Sequence, residues 1–276
     1  MSIILFFMAL QMISEFLPIS SSSHLFLTGY CLHYFFHHPI ISSLPENLDH
    51  FLHIQTAIVL LIYFWNSWVP FLKAFFYFYS NRKTYVRLRK IGIHIFIFTL
   101  FSTACTLLWY VAVNALPASF LLSNYVRLFG LCTTMGLLIC SFFIQIKGER
   151  ALPFRNAFLL GTIQGFAFLP GISRFAITYA ASRWLGYSPR RSFHLSFLIH
   201  LPLCFGGFLQ GIYEMYKTNL VEVAPPSLFL TMIIATLFSF PLLHMVYRMA
   251  CKNQLGRFSY YMPFPIALML FFCFSK

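Results

Sequence analysis

The chain has 276 residues, of which 59% are hydrophobic, 20% aromatic and 9% charged. Soluble domains carry ~25% charged residues, so this composition excludes an ordinary cytosolic enzyme, a disordered tail and a nucleic-acid binder with a solvated basic face. The 19 Lys and Arg against 6 Asp and Glu leave +13, which in so apolar a chain points to cytoplasmic loops beside anionic lipid.

In chain order, the first segment is residues 2–38, with arms of about 2–17 and 24–38 broken at Pro18 and the serines Ser20 to Ser23. Ile3 to Ile13 is apolar, yet no Lys or Arg precedes it and no small-residue cleavage pattern follows, so a cleaved signal peptide is not expected. Three near-span-length apolar stretches follow, at about 51–69, 91–113 and 125–146. Residues 156–187 are again broken, at Leu169-Pro170-Gly171, into arms 156–169 and 175–187 that are each too short to cross. Three more stretches close the chain, at about 192–213, 226–247 and 258–274. These runs are continuous rather than alternating, which argues against a strand barrel.

Most Lys and Arg residues fall in four segments, 81–90, 147–155, 183–191 and 248–257. They include Arg82, Lys83, Arg87, Arg89, Lys90, Lys147, Arg150 and Arg155, and later Arg183, Arg190, Arg191, Arg248, Lys252 and Arg257. Loops 36–50 and 114–124 have none, and 214–225 has only Lys217. The positive-inside bias places the four basic segments in the cytoplasm, and six spans then alternate without conflict. Residues 156–187 have basic segments at both ends and so read as a re-entrant hairpin; residues 2–38 read as a second hairpin entering from the opposite face. The expected fold is an all-α integral membrane domain over 1–276, with six full transmembrane helices and two re-entrant helical hairpins. Each pseudo-repeat, 1–146 and 151–276, is a hairpin plus three spans, and the odd span number inverts the second copy. Broken helices of inverted repeats are one way to build a polar site at the midplane.

Glu15 falls at the tip of the first hairpin and Arg174 at the tip of the second. A charge at membrane depth costs at least ~2.5–3.5 kcal/mol, and opposite charges on opposed tips lower that cost by facing each other. A plain ion pair is one reading. Their neighbours favour another: Ser20, Ser21, Ser22, Ser23 and His24 on one side, Ser173 and Thr178 on the other. Ser22 or Ser23 is expected to cap an arm starting at His24, and Ser173 one starting at Arg174. Both helix N-termini then point into a shared anion site, to which Arg174 adds a planar fork suited to phosphate. Serine hydroxyls, Glu15 and His24 as proton carriers or cation ligands, and Arg174 for charge together suit phosphoryl transfer to water, with a lipid as substrate. A transporter or flippase of a phosphorylated lipid is the alternative, because inverted repeats serve transport equally well.

The stretch Gln11-Met12-Ile13-Ser14-Glu15-Phe16-Leu17-Pro18-Ile19-Ser20-Ser21-Ser22-Ser23-His24 resembles the first signature of the bacterial undecaprenyl-diphosphate phosphatases of the bacitracin-resistance type. Pro170-Gly171-Ile172-Ser173-Arg174-Phe175-Ala176-Ile177-Thr178 resembles the second. Weaker matches are His53-Ile54-Gln55-Thr56 and Ser192 to Pro202. The resemblance implies Gln11 and Glu15 as an acidic/amide pair, Ser21 as nucleophile or phosphate ligand, and Glu15, Ser21, His24 and Arg174 as the catalytic set. Gln11, Ser20, Ser22, Ser173 and Thr178 are the implied substrate ligands. It further implies hydrolysis of undecaprenyl diphosphate to the monophosphate carrier used for envelope glycans, in the bacterial inner membrane. A divalent cation, Mg2+ or Ca2+, is implied, with Glu15 as the residue to hold it. The implied partners are a polyprenyl diphosphate, membrane lipid and a second copy of the chain in a homodimer; nucleic acid is not among them. Three positions depart from the pattern: Ser23 stands for Gly, at a position that can call for positive φ, Phe175 for Ser and Gln55 for Gly. Attack by Ser21, attack by His24 and metal-activated water all use the same residues.

The remaining polar residues have plainer readings. His33, His37 and His38 read as a polar cluster at the outer surface, and His194 and His200 as helix-packing groups. Segment 70–79, with Trp68 and Lys73, reads as an interfacial belt. Gly206, Gly207 and Gly211 read as close-packing positions, and Arg127 as a snorkelling residue at a span end. Cys31, Cys105, Cys132, Cys140, Cys204, Cys251 and Cys273 contain no CxxC pair and mostly read as small buried hydrophobes.

Overall fold

The computed structural model describes residues 2–37, 46–76, 83–144, 151–217 and 226–274. Among these the regular structure is helical throughout. The broken first segment forms α1 (Ser2–Ser14) and α2 (Ser21–Phe36), and the broken second one α8 (Phe154–Gly165), a 3-10 turn at Phe166–Phe168 and α9 (Arg174–Trp184). Between them lie α3 (Glu46–Tyr63), α4 (Trp65–Phe76), α5 (Lys83–Asn114), the short α6 (Ala118–Leu121) and α7 (Asn124–Phe143). After them come α10 (Pro189–Lys217), α11 (Pro226–Cys251), a 3-10 stretch at Leu255–Tyr260 and α12 (Pro263–Phe274).

Five helical stretches are long and apolar enough to cross a membrane: Lys83–Asn114, Asn124–Phe143, Pro189–Glu214, Leu230–Cys251 and Leu255–Phe274. Their broad apolar exposure, with Leu108 at 72% and Phe129 at 68%, suits a surface that faces lipid. The chain is a multi-pass membrane protein. The expected span at 51–69 is not one continuous helix. Its helix breaks at Phe64, and the two pieces bend by 79°, so a sixth crossing exists only if the bent pair is one span. The restart is local: the Phe64 carbonyl accepts from the N–H groups of Ser67 and Trp68, at 2.8 and 3.2 Å.

The broadest helix contact is between α3 and α10. Here a Cβ on Gly211 would sit 2.5 Å from the Phe51 amide nitrogen, so the backbones nearly touch. Gly207 faces His53 at ordinary contact distance, whereas Gly206 has open space around it, which corrects its reading as a packing position. On one flank α5 packs on α8, where Thr106 Oγ1 donates to the Gly161 carbonyl at 3.0 Å; on the other α1 packs on α11. An aromatic core of Phe16, Phe175, Phe193 and Phe197 lies where the hairpin tips meet α10.

The tip of the second hairpin is seated on α7. Gly171 has φ of 96°, a left-handed conformation that only glycine adopts freely. Its α-carbon meets Gly130 so closely that a Cβ on Gly130 would lie 2.2 Å from the Pro170 carbonyl oxygen. Thr134 Oγ1 donates to the Gly171 carbonyl and accepts from the Ser173 N–H, both at 2.9 Å.

Several expectations outside the site are also resolved. Among the seven cysteines none forms a disulfide, and Cys132, Cys140 and Cys251 are exposed rather than buried. α2 ends at Phe36, and His37 takes a left-handed C-cap with its N–H on the Leu32 carbonyl, so helical spacing does not extend from His33 to His37. His38, Arg82, Lys147, Arg150 and residues 77–79 lie outside the described residues. Arg183 is buried, with Nη1 donating to the Tyr187 carbonyl at 2.6 Å.

Replacing Gly130 by Ala forces a side chain into the Pro170 backbone and is expected to destabilise the protein by about 1–3 kcal/mol. Gly136→Ala on the same helix meets open space, and the gain in helix propensity leaves it neutral or slightly stabilising. Melting temperatures of both variants in detergent check the contrast.

Candidate active site

The two hairpin tips enclose a cavity of about 130 Å³. A single water needs only ~10–15 Å³ on such a measure, so the space admits a larger polar guest. Glu15 and Arg174 both line it, with Gln11, Ser20, Ser21, Ser22 and Ser173 around them. The two charges that the sequence places far apart therefore converge. They do not form a direct ion pair. Glu15 Oε1 lies 3.4 Å from His53 Nε2, and Oε2 accepts a short hydrogen bond from Thr56 Oγ1. Arg174 Nη1 lies 3.4 Å from His200 Nδ1, and its guanidinium stands 5.7 Å from the centre of the Phe168 ring.

The helix starts differ from the expectation in one case. α9 begins at Arg174, and Ser173 caps it by accepting from the Ala176 N–H at 3.3 Å. α2 begins at Ser21, earlier than the expected His24, and Ser20 at its N-cap makes no side-chain capping bond. The Ser20 hydroxyl instead donates to Ser23 Oγ at 3.2 Å and lies 3.3 Å from Ser22 Oγ. The first turn of α2 thus keeps backbone donors without a side-chain cap, at the positive end of a helix that borders the cavity. Within Ser20 to Ser23, Ser21 is the residue whose hydroxyl takes no part in these bonds.

Two expected residues are not on the cavity wall. The His24 ring is held by the Ser20 carbonyl at 2.6 Å and the Tyr261 hydroxyl at 3.0 Å, and it stacks on the Tyr261 ring. Thr178 Oγ1 donates to the Arg174 carbonyl at 2.8 Å, one turn back along α9. Each departure from the motif pattern has a structural place. Ser23 is fully buried and helical, so no positive φ is required there. Phe175 stacks on Phe197 with centroids 4.8 Å apart and closes the apolar side of the cavity. Gln55 Nε2 donates to Ser239 Oγ on α11 at 3.0 Å.

Sequence reasoning missed His53, Thr56, Ser196 and His200. His53 and His200 line the cavity and face Glu15 and Arg174. The reading of His200 as a packing group is corrected to that extent, whereas His194 does pack, stacked on Tyr247 with centroids 5.8 Å apart. The Glu15–His53 contact spans α1 to α3 and has no signature in local spacing; only the weak His53 to Thr56 match pointed there. Arg127 does not snorkel: it is buried, with its guanidinium 4.0 Å above the Phe26 ring. His53 and Arg174 also border a second cavity of about 280 Å³, lined by His50, Tyr110 and Gln210.

Among the described residues no group of three or more His, Cys, Asp or Glu could hold a metal ion. Two oxygen-bearing side chains, Gln11 and Glu15, do line the cavity. Gln11 is 5% exposed and its Oε1 has no hydrogen-bond partner, and the Glu15 carboxylate lines the same space. Hard divalent cations take such oxygens, completing their shell with water and substrate phosphate.

A family model described as bacitracin resistance protein BacA matches residues 4–267. An undecaprenyl-diphosphatase of Borrelia recurrentis is 29% identical over 269 residues, covering 95% of this chain and 94% of that protein. One of Borrelia hermsii is 30% identical over 265 residues, covering 95% of each. One of Halothermothrix orenii is 29% identical over 273 residues, covering 94% of this chain and 92% of that protein.

Ser173→Ala removes a formed cap and is expected to cost about 1 kcal/mol, read as a lowered melting temperature in detergent.

Proposed function

The chain belongs to the bacitracin-resistance family BacA, and from that membership and the cavity shared by Glu15 and Arg174 we infer that it hydrolyses undecaprenyl diphosphate to undecaprenyl phosphate and inorganic phosphate. The enzyme is a lipid diphosphate phosphatase, and the reaction regenerates the lipid carrier for envelope glycan synthesis. The transporter alternative is not favoured, because the relatives are named as phosphatases.

Ser21 is the nucleophile in this reading, supported by its place on the wall and by a hydroxyl left out of the Ser20–Ser22–Ser23 bonds. Its oxygen attacks the terminal phosphorus, the bond to the bridging oxygen breaks, and undecaprenyl phosphate leaves. Glu15, oriented by Thr56 and His53, takes the serine proton. Water then cleaves the phosphoserine, releases inorganic phosphate and restores Ser21. Arg174 stabilises charge on the transferring phosphoryl oxygens. His24 and Tyr261 hold the first turn of α2 through the Ser20 carbonyl, and Thr178 holds the first turn of α9. Gln11 and Glu15 are the residues that would hold Mg2+ or Ca2+, and a cation held there would supply neutralisation of phosphate charge.

The finer architecture belongs to the same proposal: six crossings, with α3 and α4 as one bent span, two re-entrant hairpins, and pseudo-repeats 1–146 and 151–276 of opposite orientation in the bacterial inner membrane. Reciprocal packing supports it. α1 packs on α11 as α8 packs on α5, α12 on α2 as α7 on α9, and α3 on α10, its own counterpart. With the basic segments in the cytoplasm, the larger cavity lies toward the outer ends of α3, α5 and α10. That supports an opening of the site on the outer side.

Glu15→Ala and Arg174→Ala are each expected to lower turnover of undecaprenyl diphosphate by about 100-fold or more, the scale of losing one group that stabilises developing charge. Phosphate release by purified protein in detergent reads this, and unchanged turnover in both variants rejects the assigned site. Chelation with EDTA is expected to abolish activity and added Mg2+ or Ca2+ to restore it. Full activity in EDTA removes the cation from the scheme.

A further inference from the structure

Arg127 is a buried charge that the mechanism leaves unused. It lies in the first turn of α7 and is 8% exposed. Its guanidinium packs on Phe26, and Nη1 reaches the Ser22 carbonyl at 3.5 Å, while Nε is buried with no hydrogen-bond partner. Among the described residues no carboxylate lies within 4 Å of it. A cation–π contact is worth ~0.5–2 kcal/mol, and a long neutral hydrogen bond adds little to it. Both are small beside the penalty for an uncompensated buried ion. Its position makes matters worse: the guanidinium is directed onto the first turn of α2, the positive end of that helix. This cluster of like charge calls for an anion.

The place of Arg127 says which anion. Its own carbonyl oxygen abuts Gly171, at the other hairpin tip. Ser22, which it contacts, lines the cavity. Arg127 is therefore not on the wall itself but touches Ser22, which shares that wall with Arg174. A diphosphate brings two phosphoryl groups. Arg174 serves one, and the uncapped turn of α2 with Arg127 behind it is the remaining positive surface.

We propose that Arg127 is a specificity-determining residue: with the open first turn of α2 it holds the second phosphoryl group, so that the site retains a diphosphate over a monophosphate. The proposal rests on the diphosphatase reading above. It predicts a selective loss. Arg127→Met keeps an unbranched side chain on Phe26 without the charge, and Arg127→Lys keeps the charge without the fork.

The test is calorimetric binding of inorganic pyrophosphate and of inorganic phosphate to the purified full-length protein, with farnesyl diphosphate turnover alongside. Arg127→Met is expected to weaken pyrophosphate binding by 10- to 100-fold and to leave phosphate binding within twofold. Its KM for farnesyl diphosphate rises in step, with a smaller change in kcat, and Arg127→Lys recovers part of the loss. An unchanged ratio of the two affinities overturns the proposal, whether both constants hold or both fall together. The second outcome, with a lowered melting temperature, assigns Arg127 to the fold alone. Selective loss of pyrophosphate binding in a protein whose wild type releases no phosphate from any lipid diphosphate supports the anion site and refutes the enzyme.

Discussion

Hydrocarbon offers no water to a charge, so every ionised group inside this protein is held against a standing penalty. The cavity between the hairpin tips is the fold's response to that constraint. It gathers one carboxylate, one guanidinium group and two helix N-termini that would each be costly alone. Glu15 and Arg174 offset each other, and the helix N-termini leave the wall with positive character. A wall of that sign favours a small polyanion over a cation.

The hairpins themselves depend on irregular backbone that must be buried in protein. α7 provides the seat for the second one. Thr134 takes up both the Gly171 carbonyl and the Ser173 amide, and Gly130 lets the Pro170–Gly171 backbone lie flush on the helix. Near the start of α12, Tyr261 does the related job for the first hairpin through His24. Each tip is thus steadied from outside its own hairpin, one by α7 and the other by the residues just before α12.

Much of this was legible in the residues. Pro18 and Pro170-Gly171 marked both breaks, and the Ser173 cap fell where its position before Arg174 put it. The convergence of Glu15 and Arg174 followed from sidedness and cost. What was not legible depends on contacts across the chain. The bend at Phe64 lies within an unbroken apolar run, so hydropathy alone passes over it. His53 and His200 are single histidines on apolar faces, a pattern that more often means packing. Only the fold sets them beside the two charges. The cap was expected at Ser22 or Ser23, whereas Ser20 stands at the N-cap and its hydroxyl turns to its neighbours instead. Arg127 near a helix end matched the habit of snorkelling residues, and the burial of its whole side chain is a tertiary fact.

The seam between α3 and α10 has a mechanical meaning. Thr56 and His53 hold Glu15 from one helix, and His200 meets Arg174 from the other. Those two helices touch almost backbone to backbone at Gly211 and Phe51. A joint so close has little freedom to slide or splay. The gap between Glu15 and Arg174 is thus fixed like a caliper locked at one gauge, and a ligand entering it has to match a preset span.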